Sequence, residues 1–209
     1  MPSSKVTALV GTCLVIASAC GRDATAPPAP APGPDSTDPS FIRARADAPQ
    51  LTVARISFWA TRAEERTGAL YFRSTTGDPA DSTQLVRLTI PRGALARLPD
   101  GSRVGRRDSV QITMTLVDPE HMIVEMEPSG LRFSNGHPAH LDFGYEQASD
   151  DIDGDGQVDG EDQVKEAGLR LWRRETPGDP WLPVGGSKHQ PHKHIDGDIE
   201  GFTQYAIAY

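Results

Sequence analysis

The chain has 209 residues and a formal net charge of −8 at pH 7. Seven of its carboxylates lie in the short stretch from Asp150 to Asp162, and removing them from the total leaves only −1. The acidity is therefore local, and no basic stripe of the kind that neutralises phosphates is visible, which argues against nucleic acid as a partner.

The first 19 residues have the pattern of a signal peptide. The apolar run from Val6 to Ala19 is too short for a permanent transmembrane helix, which needs about 20 apolar residues. Ala17-Ser18-Ala19-Cys20 resembles a bacterial lipobox, although Ala17 stands where leucine is usual. The resemblance implies cleavage before Cys20 and acylation of its thiol, and an ordinary secretory signal is the alternative. Both predict export, and the lipid anchor predicts attachment to a membrane of the cell envelope, at the outer membrane or the cell surface.

Residues 20–50 are predicted to be a disordered, lipid-anchored linker. The part from Ala24 to Pro39 is rich in proline and alanine and lacks the apolar side chains that would offset the entropy cost of ordering. Cys13 lies in the segment that would be removed and Cys20 is the predicted lipid site. No thiol is then left for a disulfide, a zinc site or a nucleophile.

Residues 51–209 are predicted to form one all-β domain, an antiparallel β-sandwich, with a small barrel as the alternative. Short apolar segments with period two are separated by turn residues, as in half-buried strands. The alternating residues are Val86, Leu88 and Ile90; Ile112, Met114 and Leu116; Met122, Val124 and Met126; Leu141, Phe143 and Tyr145; and Tyr205, Ile207 and Tyr209. Asp118-Pro119-Glu120 predicts a hairpin. The tryptophans Trp59, Trp172 and Trp181 are predicted to lie in the core.

The stretch DIDGDGQVDGED, residues 151–162, has the spacing of a calcium-binding loop. Calcium is a hard cation that takes six to eight oxygens, whereas magnesium prefers fewer carboxylates and retained water. Gly156 at position 6 permits the sharp turn, and Val158 at position 8 is expected to anchor the loop to the core. The predicted ligands are the side chains of Asp151, Asp153, Asp155, Asp159 and Asp162 and the backbone carbonyl of Gln157. An acidic, solvated surface loop is the alternative.

The loop departs from the EF-hand pattern at its last position, where Asp162 replaces glutamate. It resembles more closely the loops of dockerins, which occur in pairs; here there is one, so cohesin binding is not implied. The loop is predicted to be an insertion between strands near Leu141 and Leu169. One helical turn, Gln163 to Ala167, is expected to follow it and to end at Gly168.

Three segments, residues 88–95, 127–133 and 139–143, resemble parts of the ZU-five domain of ankyrins, netrin receptors and bacterial surface proteins. The resemblance implies an antiparallel sandwich that contacts proteins and has no catalytic centre. Some relatives cleave themselves within a His-Phe-Ser sequence. Here Gly201 and Thr203 flank Phe202, and without a neighbouring base Thr203 is expected to be a weak nucleophile.

His189, His192 and His194 form a histidine-rich segment near the end of the chain. Three imidazoles are able to hold a transition metal, but the two lysines among them favour a solvated loop. The sequence as a whole predicts a non-enzymatic binding or structural domain with one calcium ion, which contacts a protein at the cell envelope. A carbohydrate-binding or enzyme-associated module, with a glycan partner, is the alternative.

Overall fold

The computed structural model describes residues 39–189 and 192–209. The predicted signal peptide, the lipid site Cys20 and the linker up to residue 38 lie outside the described residues. The strands are β1 (Arg55–Thr61), β2 (Arg66–Tyr71), β3 (Gln84–Ile90), β4 (Leu95–Arg97), β5 (Ser109–Asp118), β6 (Ile123–Glu127), β7 (Arg132–Phe133), β8 (Ala139–Gly144), β9 (Arg170–Arg174), β10 (Leu182–Pro183), β11 (Ser187–His189), β12 (His194–Ile199) and β13 (Gln204–Ala208). A 3-10 helix covers Pro79–Asp81 and the α-helix α1 covers Gly160–Gly168. Within these residues no helix has both the length and the apolar character needed to cross a membrane.

The strands form an antiparallel sandwich, as predicted. One sheet has six strands in the order β1-β5-β6-β13-β9-β10, and the other has five in the order β11-β12-β8-β3-β2. β4 and β7 form a separate two-stranded sheet. The main buried apolar cluster takes residues from both large sheets, so the core lies between them.

The core follows from the period-two pattern, because alternate side chains of a strand point to opposite faces. Ile112 and Met114 of β5 and Leu141 and Phe143 of β8 are fully buried. Burial of each such side chain contributes about 1.5–3 kcal/mol. The predicted hairpin joins β5 to β6, and Met122 is buried from the turn, at a φ of 53°, not from the strand.

The domain begins before residue 51, where the linker was predicted to end. Ser40 and Tyr209 exchange backbone hydrogen bonds of 3.2 and 3.1 Å, and the Ile42 N–H donates to Ile207 O at 3.2 Å. The side chain of Ile42 is completely buried. Residues 40–42 therefore run beside β13 as part of the sandwich.

Of the three tryptophans predicted to lie in the core, only Trp181 is buried, and it packs in a small cluster separate from the one between the sheets. Trp59 is 58% exposed, because it lies on the outer face of β1, while Ala60 faces inward. Trp181 is buried against Phe41 with ring centroids 4.9 Å apart, and the half-buried Trp172 packs against the same small cluster on the outer face of the six-stranded sheet.

Candidate metal centre

The acidic loop lies in the connection that crosses from one sheet to the other. It follows β8 of the five-stranded sheet, leads directly into α1, and the chain then enters β9 of the six-stranded sheet. The prediction that the loop is an insertion between the strands near Leu141 and Leu169 is confirmed.

Three of the six predicted ligands come together. Asp151, Asp153 and Asp155 each offer a carboxylate oxygen, and these oxygens all lie within 4.8 Å of one another. Three carboxylates this close repel one another unless a cation or hydrogen-bond donors compensate. The triad is therefore able to bind a metal ion.

Backbone N–H groups hold Asp151 in place. Its Oδ1 accepts hydrogen bonds from Gly154 N at 2.8 Å and Asp155 N at 3.1 Å, and its Oδ2 accepts one from Gly156 N at 3.0 Å. The loop can turn tightly enough because Gly154 and Gly156 have backbone φ values of 77° and 91°, which residues other than glycine rarely adopt. The spacing of the two glycines thus lets the backbone N–H groups of the loop reach the carboxylate of Asp151.

The other two members of the triad are fixed less completely. Asp153 Oδ1 accepts from Asp155 N at 3.2 Å, and Asp155 Oδ1 accepts from Gln157 N at 2.8 Å. Lys165 of α1 donates from Nζ to Asp153 Oδ2 at 3.3 Å and lies 5.2 Å from the ring centre of Tyr209. The hydrogen bond to Asp153 raises the pKa of Lys165, so the lysine stays charged and offsets part of the triad's negative charge.

Asp162 is buried and does not join the triad; its carboxylate accepts hydrogen bonds from the backbone instead. Its Oδ1 accepts from Ile152 N at 2.7 Å and from Asp153 N at 3.3 Å, while its Oδ2 accepts from Asp159 N at 2.8 Å. The hydrogen bond from Asp159, with the two others, lowers the pKa of Asp162, although burial opposes the shift. In this arrangement the Asp162 carboxylate joins the start of the loop to the start of α1.

Asp159 and Gln157 also lie outside the triad. Asp159 is the N-cap of α1, and its Oδ1 accepts from Glu161 N at 2.7 Å. With Asp162 it forms a reciprocal capping box. This is why the helix starts at Gly160, three residues before the predicted turn at Gln163. Gln157 is exposed, and its N–H donates to Asp155.

Ile152, not Val158, anchors the loop to the core. Val158 is 70% exposed, whereas Ile152 packs against the main apolar cluster. Two polar contacts add to this attachment: Lys193 Nζ lies 2.8 Å from Asp150 Oδ1, and the Tyr145 hydroxyl donates to Glu166 Oε1 at 3.2 Å. The loop is therefore attached to the sandwich at its beginning and through α1.

None of the known protein families, curated proteins or solved structures with which the chain was compared matches it. The ZU-five resemblance therefore stays a prediction.

Proposed function

We propose that the protein is an exported, lipid-anchored and non-enzymatic binding domain in which one calcium ion braces the β8–β9 connection. The observation that carries the proposal is the triad Asp151, Asp153 and Asp155 on a loop whose carboxylates are oriented by backbone N–H groups. The chemistry of the donors supports calcium, because all of them are oxygens and the loop offers more carboxylates than magnesium usually takes.

The attachment of the loop supports a bracing role. The connection between the sheets passes through the triad and α1, and Asp162 fixes one to the other. A cation on the triad would remove the repulsion within this connection and stabilise the crossover between the sheets.

The surroundings of Thr203 support a non-enzymatic role for the segment that resembles a self-cleaving site. Thr203 is 2% exposed, and its Oγ1 has no hydrogen-bond partner among the described residues. A hydroxyl without a neighbouring base is a poor nucleophile. A purified chain that stays as one band on a denaturing gel agrees with this, whereas a fragment ending at Phe202 contradicts it.

The positions of the tryptophans argue against a glycan site formed by the paired rings of Trp59 and Trp172. Trp59 of β1 and Trp172 of β9 lie on the same outer face but four strand spacings apart, which is about 19 Å at about 4.8 Å per strand. Such a distance is too large for one sugar ring to stack on both. A glycan array compared with a pull-down from envelope extract distinguishes the two partners.

Two experiments test the calcium and the anchor separately. Millimolar calcium is expected to raise the thermal midpoint of the purified protein relative to chelator, with equal magnesium giving a smaller rise; an unchanged midpoint contradicts the bracing role. Cys20→Ala is expected to move the protein from the membrane fraction to the soluble fraction. Retention of the variant in the membrane fraction contradicts lipid anchoring.

A further inference from the structure

Histidines and aspartates that are not part of the acidic loop gather on the outer face of the five-stranded sheet. Strand register brings them together, since β12 pairs Asp196 with Asp142 of β8 and Asp198 with His140, while β11 pairs His189 with His194. All of them except Asp198, which contacts His140, line an open cavity of about 650 Å³. The members of this histidine–aspartate cluster are His140, Asp142, His189, His194, Asp196 and Asp198.

His140 lies between two carboxylates. Its Nδ1 is 3.2 Å from Asp198 Oδ1, and its Nε2 is 3.3 Å from Asp196 Oδ2. A neutral imidazole has one N–H and one lone pair, so it can donate to only one of the two carboxylates. The other contact requires either a second proton on the ring or a cation between nitrogen and oxygen.

Asp196 receives a second imidazole on its other oxygen. His189 Nε2 lies 2.5 Å from Asp196 Oδ1, an oxygen that is buried and has no well-aligned hydrogen bond among the described residues. Asp142 stands directly across from Asp196 on the neighbouring strand, and like charges in such pairs are destabilising. His194 satisfies Asp142 through Nδ1 at 2.8 Å, which leaves Asp196 as the carboxylate that both other histidines face.

We propose that His140, His189 and Asp196 bind a divalent transition-metal ion of the zinc class, with Asp198 as a positioning residue. Two imidazole nitrogens and a carboxylate are a ligand set that zinc accepts, whereas calcium requires oxygens. The contact from Asp198 to Nδ1 matches the way in which metal-bound histidines are held, with the second nitrogen donating to a carboxylate.

Ion binding requires one local adjustment. Among the described residues only the acidic triad has its ligand atoms within 4.8 Å of one another, and the two imidazoles approach different oxygens of Asp196. His189 is on the edge strand β11 and its side chain is 56% exposed. Its ring can therefore rotate towards His140 without disturbing the core.

The test is a zinc titration of the purified full chain in excess calcium, so that the acidic loop does not take up zinc. Calorimetry or competition with a chromogenic chelator is expected to show one tight zinc equivalent. His140→Ala and His189→Ala are each expected to weaken it at least tenfold. Asp198→Asn removes only the orienting carboxylate and is expected to weaken it about 10- to 100-fold and to change the visible spectrum of bound cobalt.

His121→Ala is the matched control, because His121 pairs with Asp118 at 2.9 Å at the β5–β6 turn and is not a member of the histidine–aspartate cluster. It should leave zinc affinity unchanged, and so should Asp151→Asn in the acidic loop. His140→Gln serves as a second variant if His140→Ala fails to fold. The proposal is overturned if the wild-type chain takes up no zinc, if the His140 and His189 variants bind it as tightly, or if ¹⁵N spectra with zinc show both nitrogens of His140 protonated.

Discussion

Asp151→Asn separates the calcium contribution to stability from the hydrogen bonds of the loop. Asp151 accepts three backbone N–H groups, two on Oδ1 and one on Oδ2. Asparagine keeps one oxygen, so the bonds from Gly154 and Asp155 survive, but its NH₂ group then faces the N–H of Gly156. The variant therefore loses one hydrogen bond and one charge of the triad.

The size of the effect depends on the cation. In chelator the lost hydrogen bond costs about 1 kcal/mol, and the reduced repulsion among the carboxylates offsets part of it. With a dissociation constant of about 10⁻⁴ to 10⁻³ M, as in extracellular modules, about 10 mM calcium stabilises the wild-type protein by about 1.4–2.7 kcal/mol. At about 2–4 °C per kcal/mol for a domain of this size, the wild-type midpoint rises by about 3–11 °C, and the variant midpoint stays nearly constant.

The assay is thermal unfolding of both proteins in chelator and in calcium. Asp150→Asn is the matched control, because Asp150 is the adjacent acid, has a 71% exposed side chain and pairs only with Lys193 among the described residues. The control should keep the full response to calcium. A difference between wild type and Asp151→Asn that is equal in calcium and in chelator would refute the assignment of calcium to the triad.

Three further predictions concern stability. The pKa of Asp162 is lowered from its ordinary value of 3.8, so in chelator the ionised carboxylate stabilises the fold above that pH, and this stabilisation is lost as pH falls through the folded-state pKa. In an acid titration followed by circular dichroism, Asp162→Asn should therefore lose less stability than the wild-type protein. Leu88→Ala, at a fully buried position of β3, should lower the free energy of unfolding in urea by about 2–5 kcal/mol. Arg87→Ala, at the exposed neighbouring position, should change it by less than about 0.5 kcal/mol. Equal effects of the two substitutions would contradict the assignment of Leu88 to the core. Trp59→Ala should leave the urea midpoint nearly unchanged, and a loss typical of a core residue would show that this side chain is covered in solution.

The faces of the strands could be predicted from the sequence because their cause is local. Period-two alternation placed Ile112 and Leu141 in the core without knowledge of which strands pair. The same rule would have placed Trp59 outside, since Ile56, Phe58 and Ala60 take the inward positions of β1. For Trp59, the alternation along the strand predicts exposure correctly, whereas the general tendency of tryptophan to be buried does not.

Contacts that depend on pairing between segments far apart in the chain could not be predicted from the sequence. Phe41 and Ile42 form a short apolar pair just after a proline-rich stretch, and Ile42 is buried because residues 40–42 pair with β13. His140 and Asp198 are 58 residues apart, and only the register of β8 with β12 brings them together. A single sequence does not fix that register.

The loop shows why spacing alone did not assign the role of each carboxylate. Position 12 of the loop is also the third residue of α1, where a carboxylate can reach the N–H of the N-cap residue. Asp162 is one methylene shorter than the glutamate usual at this position, and it bonds to Asp159, Ile152 and Asp153. The start of the loop and the start of the helix are therefore joined through the protein's own hydrogen bonds. The proposed calcium ion would bind a loop already held in place, so it would add stability without moving α1, as expected of a fixed brace and not of a sensor.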